Sequence, residues 1–165
     1  MDALTERIAL AEQAGRALLI AGFRAVTAES CTGGGVAAAL TDVPGSSKWF
    51  ERGYITYSNG SKVEVLGVEP ATLNRYGAVS PEVTLQMAQG ALRASGADLA
   101  LAVSGVAGPD GGTLEKPLGL VWFAVAQRSA APREVHELFA GDRAAVRGAA
   151  VITALRLIAA AAAEF

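Results

Sequence analysis

Apolar residues near the start of the chain recur at the spacing of one helix face. The positions on that face are Leu4, Ile8, Ala11, Gly15 and Leu18. Because residues three and four apart lie on the same side of an α-helix, this pattern predicts an amphipathic helix over Leu4–Ile20. Gly22 follows as a typical helix-ending residue. The chain is therefore expected to begin with a packed helix.

Short runs of β-branched and apolar residues alternate with helical segments in the rest of the chain. The predicted strands are Ala25–Ala28, Tyr54–Tyr57, Leu99–Val103, Gly119–Ala126 and Glu134–Phe139. The further predicted helices are Gly35–Leu40, Ser61–Leu66, a helix from Ser80-Pro81 to Ser95, and a long one that begins at Asp142. This order predicts an α/β fold over residues 1–165, namely a single-domain, three-layer sandwich with a mixed, mostly parallel sheet flanked by helices.

The stretch from Ala28 to Gly35, with the sequence AESCTGGG, combines a strand end, a tight turn and the start of a helix. Backbone N–H groups at a helix start are unpaired, and the helix dipole is positive there. Such a turn can cradle an anion or stabilise a developing negative charge. The alternative is an ordinary hydroxyl cap between a strand and a helix. The stretch alone leaves both interpretations open.

Composition and charge narrow the classes of protein that fit. Hydrophobic residues make up 52% of the chain and charged residues 18%, and the net charge is −2 without any run of lysine or arginine. These values indicate a globular domain and argue against nucleic-acid binding through a basic surface. The single cysteine, Cys31, and the single histidine, His136, exclude an internal disulfide framework and disfavour a zinc site. No metal and no cofactor are expected.

Membrane insertion is not expected either. The most apolar stretch, Ala149–Ala163, is mostly alanine and is interrupted by Arg156, so it is too short and too weakly apolar for a membrane span. The first residues lack the basic head and apolar run of a signal peptide. A cytoplasmic protein is the expectation.

Candidate nucleophiles lie in polar, glycine-rich loops at the ends of the predicted elements. They are Ser30, Cys31, Ser46, Ser47 and Ser104. A histidine-based triad would need His136, which lies inside a predicted strand, and is disfavoured. Cys31 directly follows a strand, where packing as a small apolar residue is the alternative to catalysis.

A lysine is the stronger candidate for the catalytic base. A serine hydroxyl needs a base near neutral pH, and burial or nearby charge can lower the pKa of a lysine enough for that task. Lys62 lies near a helix N-terminus, where the dipole disfavours a cation. Tyr57, on the other side of a Ser-Asn-Gly turn, could relay or orient the proton.

Five motifs in order carry a family resemblance. They are AESCTGGG, PGSSKWFERGYITYSNGSK, YGAVSPE, SGVAGPDGGT with KPLGLVWFAV, and GDRAAVR. Together they resemble the C-terminal domain of the competence-damage inducible CinA family over nearly the whole chain. Stand-alone members of that family are nicotinamide mononucleotide deamidases. The resemblance therefore implies an amidohydrolase that converts nicotinamide mononucleotide to nicotinic acid mononucleotide and ammonia through a Ser/Lys dyad and an acyl-enzyme.

The resemblance also implies roles for particular residues. Lys62 is the lysine of the dyad and Tyr57 its companion, while Ser30 and Ser47 both match hydroxyls of the family site. Arg143 could hold the substrate phosphate. The substrate-binding positions implied are Thr32, Gly33, Gly34, Ser104, Gly105 and Arg143.

The choice between the two serines depends on what the first turn does. If the helix start at Thr32–Gly35 holds the phosphate, Ser47 is free to attack the amide carbon. If the turn works as a nucleophile elbow, Ser30 attacks and the adjacent N–H groups form the oxyanion hole. We prefer Ser47 on this basis, and Ser30 stays open.

Rival hypotheses are a non-catalytic nucleotide-binding domain, an amidohydrolase acting on another amide, and a competence-associated interaction domain. The expected partner is a small-molecule mononucleotide, with neither nucleic acid nor membrane. A homo-oligomer is also expected. Its interface could use the alanine-rich last helix, and Trp49 and Phe50 if these are exposed.

Overall fold

The computed structural model describes residues 2–164, which contain five strands and six α-helices. The strands are β1 (Ala25–Glu29), β2 (Phe50–Ile55), β3 (Leu99–Gly105), β4 (Leu120–Gln127) and β5 (Ala130–Leu138). The helices are α1 (Ala3–Ala21), α2 (Gly35–Thr41), α3 (Asn59–Leu66), α4 (Pro70–Tyr76), α5 (Pro81–Ser95) and α6 (Arg143–Ala162). A short 3-10 helix, Ser46–Lys48, precedes β2.

The strands form one mixed sheet in the order β2-β1-β3-β4-β5. β1 is central to the parallel part, because it pairs in parallel with both β2 and β3. β4 is antiparallel to β3 and to β5, so four of the five strands point the same way. The predicted mixed, mostly parallel sheet is thus confirmed. The carboxyl ends of β1, β2 and β3 lie side by side at one edge.

Helices cover both faces of this sheet. On one face, α1, α2 and α6 bury residues such as Leu18, Leu40 and Ile158 in a single apolar cluster with the sheet. On the other face, α3, α4 and α5 form a second cluster that includes Leu66 and Met87. β3 is buried on both sides, as a continuous apolar run predicts. The three-layer sandwich is confirmed.

Three local predictions differ from the structure. The predicted strand Glu134–Phe139 starts too late, because β5 already begins at Ala130. The predicted strand Tyr54–Tyr57 is placed too late, since β2 already begins at Phe50 and ends before Thr56. Pairing explains the early start, because the N–H of Ala25 donates to the carbonyl of Trp49 at the amino end of the sheet. The sequence pattern also gives no prediction for α4, a helix of seven residues with a proline in its first turn.

α6 is longer than the apolar stretch recognised in the sequence. It spans 20 residues and is, among the described residues, the one helix long and apolar enough to cross a membrane by length and composition. Its apolar side packs in the core, where Val146, Leu155 and Ile158 are almost fully buried. A core helix passes the same test, so this finding is weak support for a membrane span.

The position of α3 is fixed by a close contact with α5. A Cβ atom added at Gly90 of α5 would overlap the carbonyl oxygen of Leu66, the last residue of α3. Only glycine therefore allows the two helices to approach this closely. The contact matters for the site, because α3 carries Lys62.

Candidate active site

Ser30 follows directly after β1, at the carboxyl edge of the parallel strands. Its N–H donates to the carbonyl of Val103, which extends the pairing of β1 with β3 by one residue. The side chain is almost buried, with 9% of the residue exposed. It points to the face covered by α3 and α5, where the neighbouring helix supplies its partner.

That partner is Lys62, which lies in the first part of α3 and is 1% exposed. Its Nζ atom lies 3.1 Å from Ser30 Oγ. It also donates to the carbonyl oxygens of Thr56 and Tyr57, at 2.7 and 3.1 Å. Both carbonyls belong to the loop between β2 and α3, so this loop holds the amine against the serine.

Burial lowers the pKa of Lys62 from 10.5 to about 8. Desolvation disfavours the ammonium form, and no carboxylate is hydrogen-bonded to it among the described residues. At pH 7 a group with this pKa is neutral in roughly a tenth of the molecules. The neutral form becomes the major one above about pH 8.

Glu29 occupies the helix start that the sequence suggested as an anion cradle. The residue is fully buried, and its carboxylate accepts from the N–H groups of Val36 and Ala37 at 2.9 and 3.0 Å. The hydroxyls of Thr32 and Thr27 donate to it at 2.7 and 3.3 Å. A protein carboxylate therefore already takes the place of a bound anion at the start of α2.

The predicted substrate positions Thr32, Gly33 and Gly34 are correspondingly displaced from the serine–lysine pair. Thr32 is 1% exposed and its hydroxyl serves Glu29. Gly34 adopts a φ of 96° as the N-cap of α2, a left-handed conformation that favours glycine. These three residues shape the turn and do not line the cavity beside Lys62.

The turn nevertheless keeps two donors available. The N–H of Gly33 donates to the carbonyl of Ser30, which closes a β-turn around Cys31 and Thr32. Within the described chain, the N–H groups of those two central residues donate to no oxygen. Cys31 directly follows Ser30, the position from which a nucleophile elbow supplies one of its oxyanion donors.

Tyr57 and Arg143 lie together at the mouth of the site. Tyr57 is 60% exposed, and its hydroxyl accepts from Arg143 Nη2 at 3.1 Å. Arg143 Nη1 also donates to the carbonyl of Gly108 at 2.8 Å. The predicted contact of the tyrosine hydroxyl with Lys62 is not present, since Tyr57 reaches the lysine through its backbone carbonyl.

A cavity of about 200 Å³ joins these groups. Its lining residues are Ser30, Cys31, Tyr57, Lys62, Ala78, Val79, Ser104, Gly105, Ala107 and Arg143. The predicted positions Ser104 and Gly105 thus lie beside the pair. A Cβ at Gly105 would also meet Val121 of β4 at 2.7 Å, so glycine is needed there for strand packing.

Ser47 lies at the other end of the sheet, which corrects our preference for this residue. It is exposed in the short 3-10 helix before β2, close to Trp49, whose carbonyl pairs with the amino end of β1. Lys62 follows the carboxyl end of β2. Six residues of strand span about 20 Å, so Ser47 and Lys62 of one chain cannot meet.

The remaining candidates do not form alternative sites. His136 lies on β5, with its ring 4.4 Å from that of Trp122, away from the cavity that Ser30 lines. Burial raises the pKa of the Cys31 thiol to about 11, which keeps it neutral and unreactive. No group of three metal-ligating side chains occurs among the described residues.

Two functional features escaped the sequence analysis. Glu29 stands inside a predicted strand–turn segment, and only its spacing of seven residues from Val36 could have suggested that it caps α2. The carbonyls of Thr56 and Tyr57 carry no sequence signal, because every residue has such a group.

Fold and site together define an α/β domain with a buried serine–lysine pair at the carboxyl edge of its sheet. The chain belongs to the CinA C-terminal domain family, whose model matches residues 7–162. It is 51% identical to nicotinamide-nucleotide amidohydrolase PncC of Escherichia coli (strain K12) and 52% identical to that of Pseudomonas putida. The matches cover 93% and 94% of this chain, and the same share of each relative.

Solved structures support the same assignment. The competence/damage inducible protein CihA from Agrobacterium tumefaciens superposes with a TM-score of 0.91 at 43% identity, over 94% of each chain. The resemblance inferred from the five sequence motifs is therefore confirmed, and the chain is an amidohydrolase of this family.

Proposed function

We propose that the protein hydrolyses the carboxamide of nicotinamide mononucleotide, giving nicotinic acid mononucleotide and ammonia, with Ser30 as nucleophile and Lys62 as base. The observation that carries this proposal is the 3.1 Å contact between Lys62 Nζ and Ser30 Oγ in the cavity. The amidohydrolase names of the relatives support the substrate class.

The hydrogen bonds of Lys62 explain how the amine would act as a base. An ammonium group has three donors, whereas a neutral amine has two N–H groups and one lone pair. The carbonyls of Thr56 and Tyr57 can take both N–H groups of the neutral form. The lone pair then points to Ser30, ready to accept the hydroxyl proton.

The reaction follows from this arrangement. Lys62 removes the proton as Ser30 Oγ attacks the carboxamide carbon, and the oxyanion is stabilised by the N–H group of Cys31, which lines the cavity. The lysine ammonium returns the proton to the nitrogen, so that the C–N bond breaks and ammonia leaves. Water, deprotonated by Lys62, then attacks the acyl-enzyme; the proton returns to Ser30 Oγ as the acid is released.

The size of the cavity suggests how a mononucleotide would bind. At about 200 Å³ it is smaller than the roughly 300–1,000 Å³ of pockets that enclose a whole drug-sized ligand. It offers room for the pyridine carboxamide, while ribose and phosphate would extend toward the mouth. Arg143 lies there and suits a phosphate, because a guanidinium binds phosphate oxygens in a bidentate manner.

Ammonia release from nicotinamide mononucleotide by the purified protein tests the proposal. Ser30→Ala and Lys62→Ala should each lower kcat at least a thousandfold, because each removes a group of the covalent step. Ser47→Ala is the matched control and should keep kcat within about twofold of wild type. Near-normal turnover by Ser30→Ala, or loss of turnover only in Ser47→Ala, would contradict the assignment.

A further inference from the structure

Three hydroxyl side chains form a row across the ends of the parallel strands. They belong to Thr56, Ser30 and Ser104, and each stands one residue beyond the last mutually paired positions of β2, β1 and β3. Neighbouring strands are about 4.8 Å apart, so the two flanking hydroxyls lie on either side of Ser30. All three are buried, at 1%, 9% and 1% exposure. We call this set the hydroxyl row.

The hydroxyl hydrogen of Ser104 is already engaged in a hydrogen bond. It donates to the carbonyl of Ala78 at 2.9 Å. A serine hydroxyl has a single hydrogen and two acceptor lone pairs. Toward the cavity that it shares with Ser30 and Lys62, Ser104 therefore presents only acceptor capacity.

An acceptor beside the nucleophile distinguishes a carboxamide from a carboxylate. The nitrogen of a carboxamide carries two N–H donors, whereas both oxygens of a carboxylate are acceptors. Ser104 Oγ can accept a hydrogen bond from the carboxamide nitrogen. Against a carboxylate oxygen, its lone pairs face other lone pairs and no hydrogen bond forms. An unsatisfied buried acceptor destabilises a complex by more free energy than one hydrogen bond stabilises it.

We propose that Ser104 determines specificity by accepting a hydrogen bond from the carboxamide nitrogen of the substrate and by disfavouring the carboxylate product. The inference rests on the proposed function, since it concerns the same cavity and the same substrate class. It gives the site a means of releasing the acid, which the cations Lys62 and Arg143 would otherwise attract.

Binding measurements isolate this role from turnover. In Ser30→Ala, which cannot form the acyl-enzyme, calorimetry can compare nicotinamide mononucleotide with nicotinic acid mononucleotide. The comparison is made at pH 9, where a lysine with a pKa of about 8 is mostly neutral and attracts the acid less. We expect the amide to bind roughly tenfold more tightly than the acid, the size of one good hydrogen bond.

Adding Ser104→Ala should reduce that preference to about twofold or less, because the amide should bind more weakly and the acid more tightly. Adding Ser104→Thr, which keeps the hydroxyl, should restore it. Ser95→Ala is the matched control: the Ser95 hydroxyl also donates to a backbone carbonyl, that of Ala91, but at the far end of α5. The tenfold preference should persist in this variant.

The outcomes separate the two proposals. An unchanged preference in the Ser104→Ala background, or an equal loss of affinity for both ligands, would overturn the role of Ser104. If wild type releases no ammonia while the preference exists and depends on Ser104, the proposed reaction is wrong and the specificity role stands. If ammonia is released but the preference is independent of Ser104, the opposite conclusion holds.

Discussion

The charge state of one residue, Lys62, governs the chemistry proposed for the site. Burial alone lowers its pKa, and the two loop carbonyls that hold Nζ accept hydrogen bonds from either protonation state. A buried amine with acceptors but no carboxylate partner is poised near neutrality, as a general base requires. The neighbouring thiol of Cys31, with its raised pKa, is the inert group of the cavity.

A pH profile tests that charge state. Since the active form is the neutral amine, kcat/KM for ammonia release should rise with pH and level off above about 8, the pKa of Lys62. At pH 6 it should be roughly a hundredfold below the plateau, because a tenfold change accompanies each pH unit below the pKa. Initial rates measured by product chromatography from pH 5.5 to 10 give the curve.

Lys62→Arg is the control for this profile, because a guanidinium stays protonated throughout the range and should give no rising limb. A wild-type rate that is flat between pH 6 and 9 would contradict a lysine base with this pKa.

At the scale of elements, the turn from β1 into α2 positions the nucleophile, and Glu29 fixes that turn. Its two carboxylate oxygens together accept from two helix N–H groups and two threonine hydroxyls. The next residues are Ser30 and Cys31, so any loosening of the cap moves the attacking oxygen and the oxyanion donor together. Small displacements of this kind are costly for catalysis.

Glu29→Gln is therefore expected to lower both stability and kcat. The amide keeps one acceptor oxygen, turns an N–H₂ group toward helix donors and loses the charge that favours the start of α2. We expect a loss of about 1–3 kcal/mol in the free energy of unfolding, measured by urea denaturation. We also expect a fall in kcat larger than the rise in KM.

Asp2→Asn is the matched control for this substitution, since Asp2 caps α1 at an exposed site and either side chain can cap a helix. It should leave both quantities within error of wild type. A Glu29→Gln protein with unchanged unfolding free energy would show that the cap does not hold the turn.

Elements whose signals are local were predictable from sequence, and those that depend on pairing were not. Ser80-Pro81 and Asp142 mark the starts of α5 and α6 through cap chemistry that a short window contains. The start of β2 depends on its partner β1, because Phe50 has strand pairing only through the ladder at Ala25. Strand bounds of this kind need the neighbouring chain segment.

At the scale of the whole molecule, the topology of the sheet determines which serine lies beside Lys62. Motif spacing puts Ser47 closer to Lys62 in sequence than Ser30 is, yet β2 carries the chain from one end of the sheet to the other between them. Parallel pairing of β1 and β2 then brings Ser30 to the lysine from 32 residues away. Sequence distance carries no information of that kind, whereas topology does.

The packing of the whole molecule also limits which surfaces could form a subunit interface. Trp49 is 2% exposed, and Ala159, Ala161 and Ala162 of α6 are nearly buried, so these predicted interface residues belong to the core. Exposed apolar side chains lie elsewhere, among them Ile55 and Leu138 at the two edge strands. The homo-oligomer stays a prediction, to be checked by light scattering.

The stability of the whole protein should depend on pH because Lys62 is buried. Its pKa is about 8 in the folded protein, whereas an exposed lysine has a pKa of 10.5. Below pH 8 the folded state bears the full desolvation cost, about 3 kcal/mol, and the unfolded state binds more protons between pH 8 and 10.5. The contribution of this group to stability therefore rises with pH across that window.

Lys62→Met removes the titrating group while it keeps the length of the side chain. The variant leaves two loop carbonyls without their donor, a loss that does not depend on pH. The difference between its free energy of unfolding and that of wild type should be more positive at pH 7 than at pH 10, by up to about 3 kcal/mol. The substitution therefore stabilises the protein more, or destabilises it less, at pH 7. Urea denaturation at the two pH values measures the difference, and Lys48→Met, at an exposed lysine, should show none. Equal effects of Lys62→Met at both pH values would mean that the folded protein does not perturb this lysine, and the base proposed for the reaction would then lack its activation.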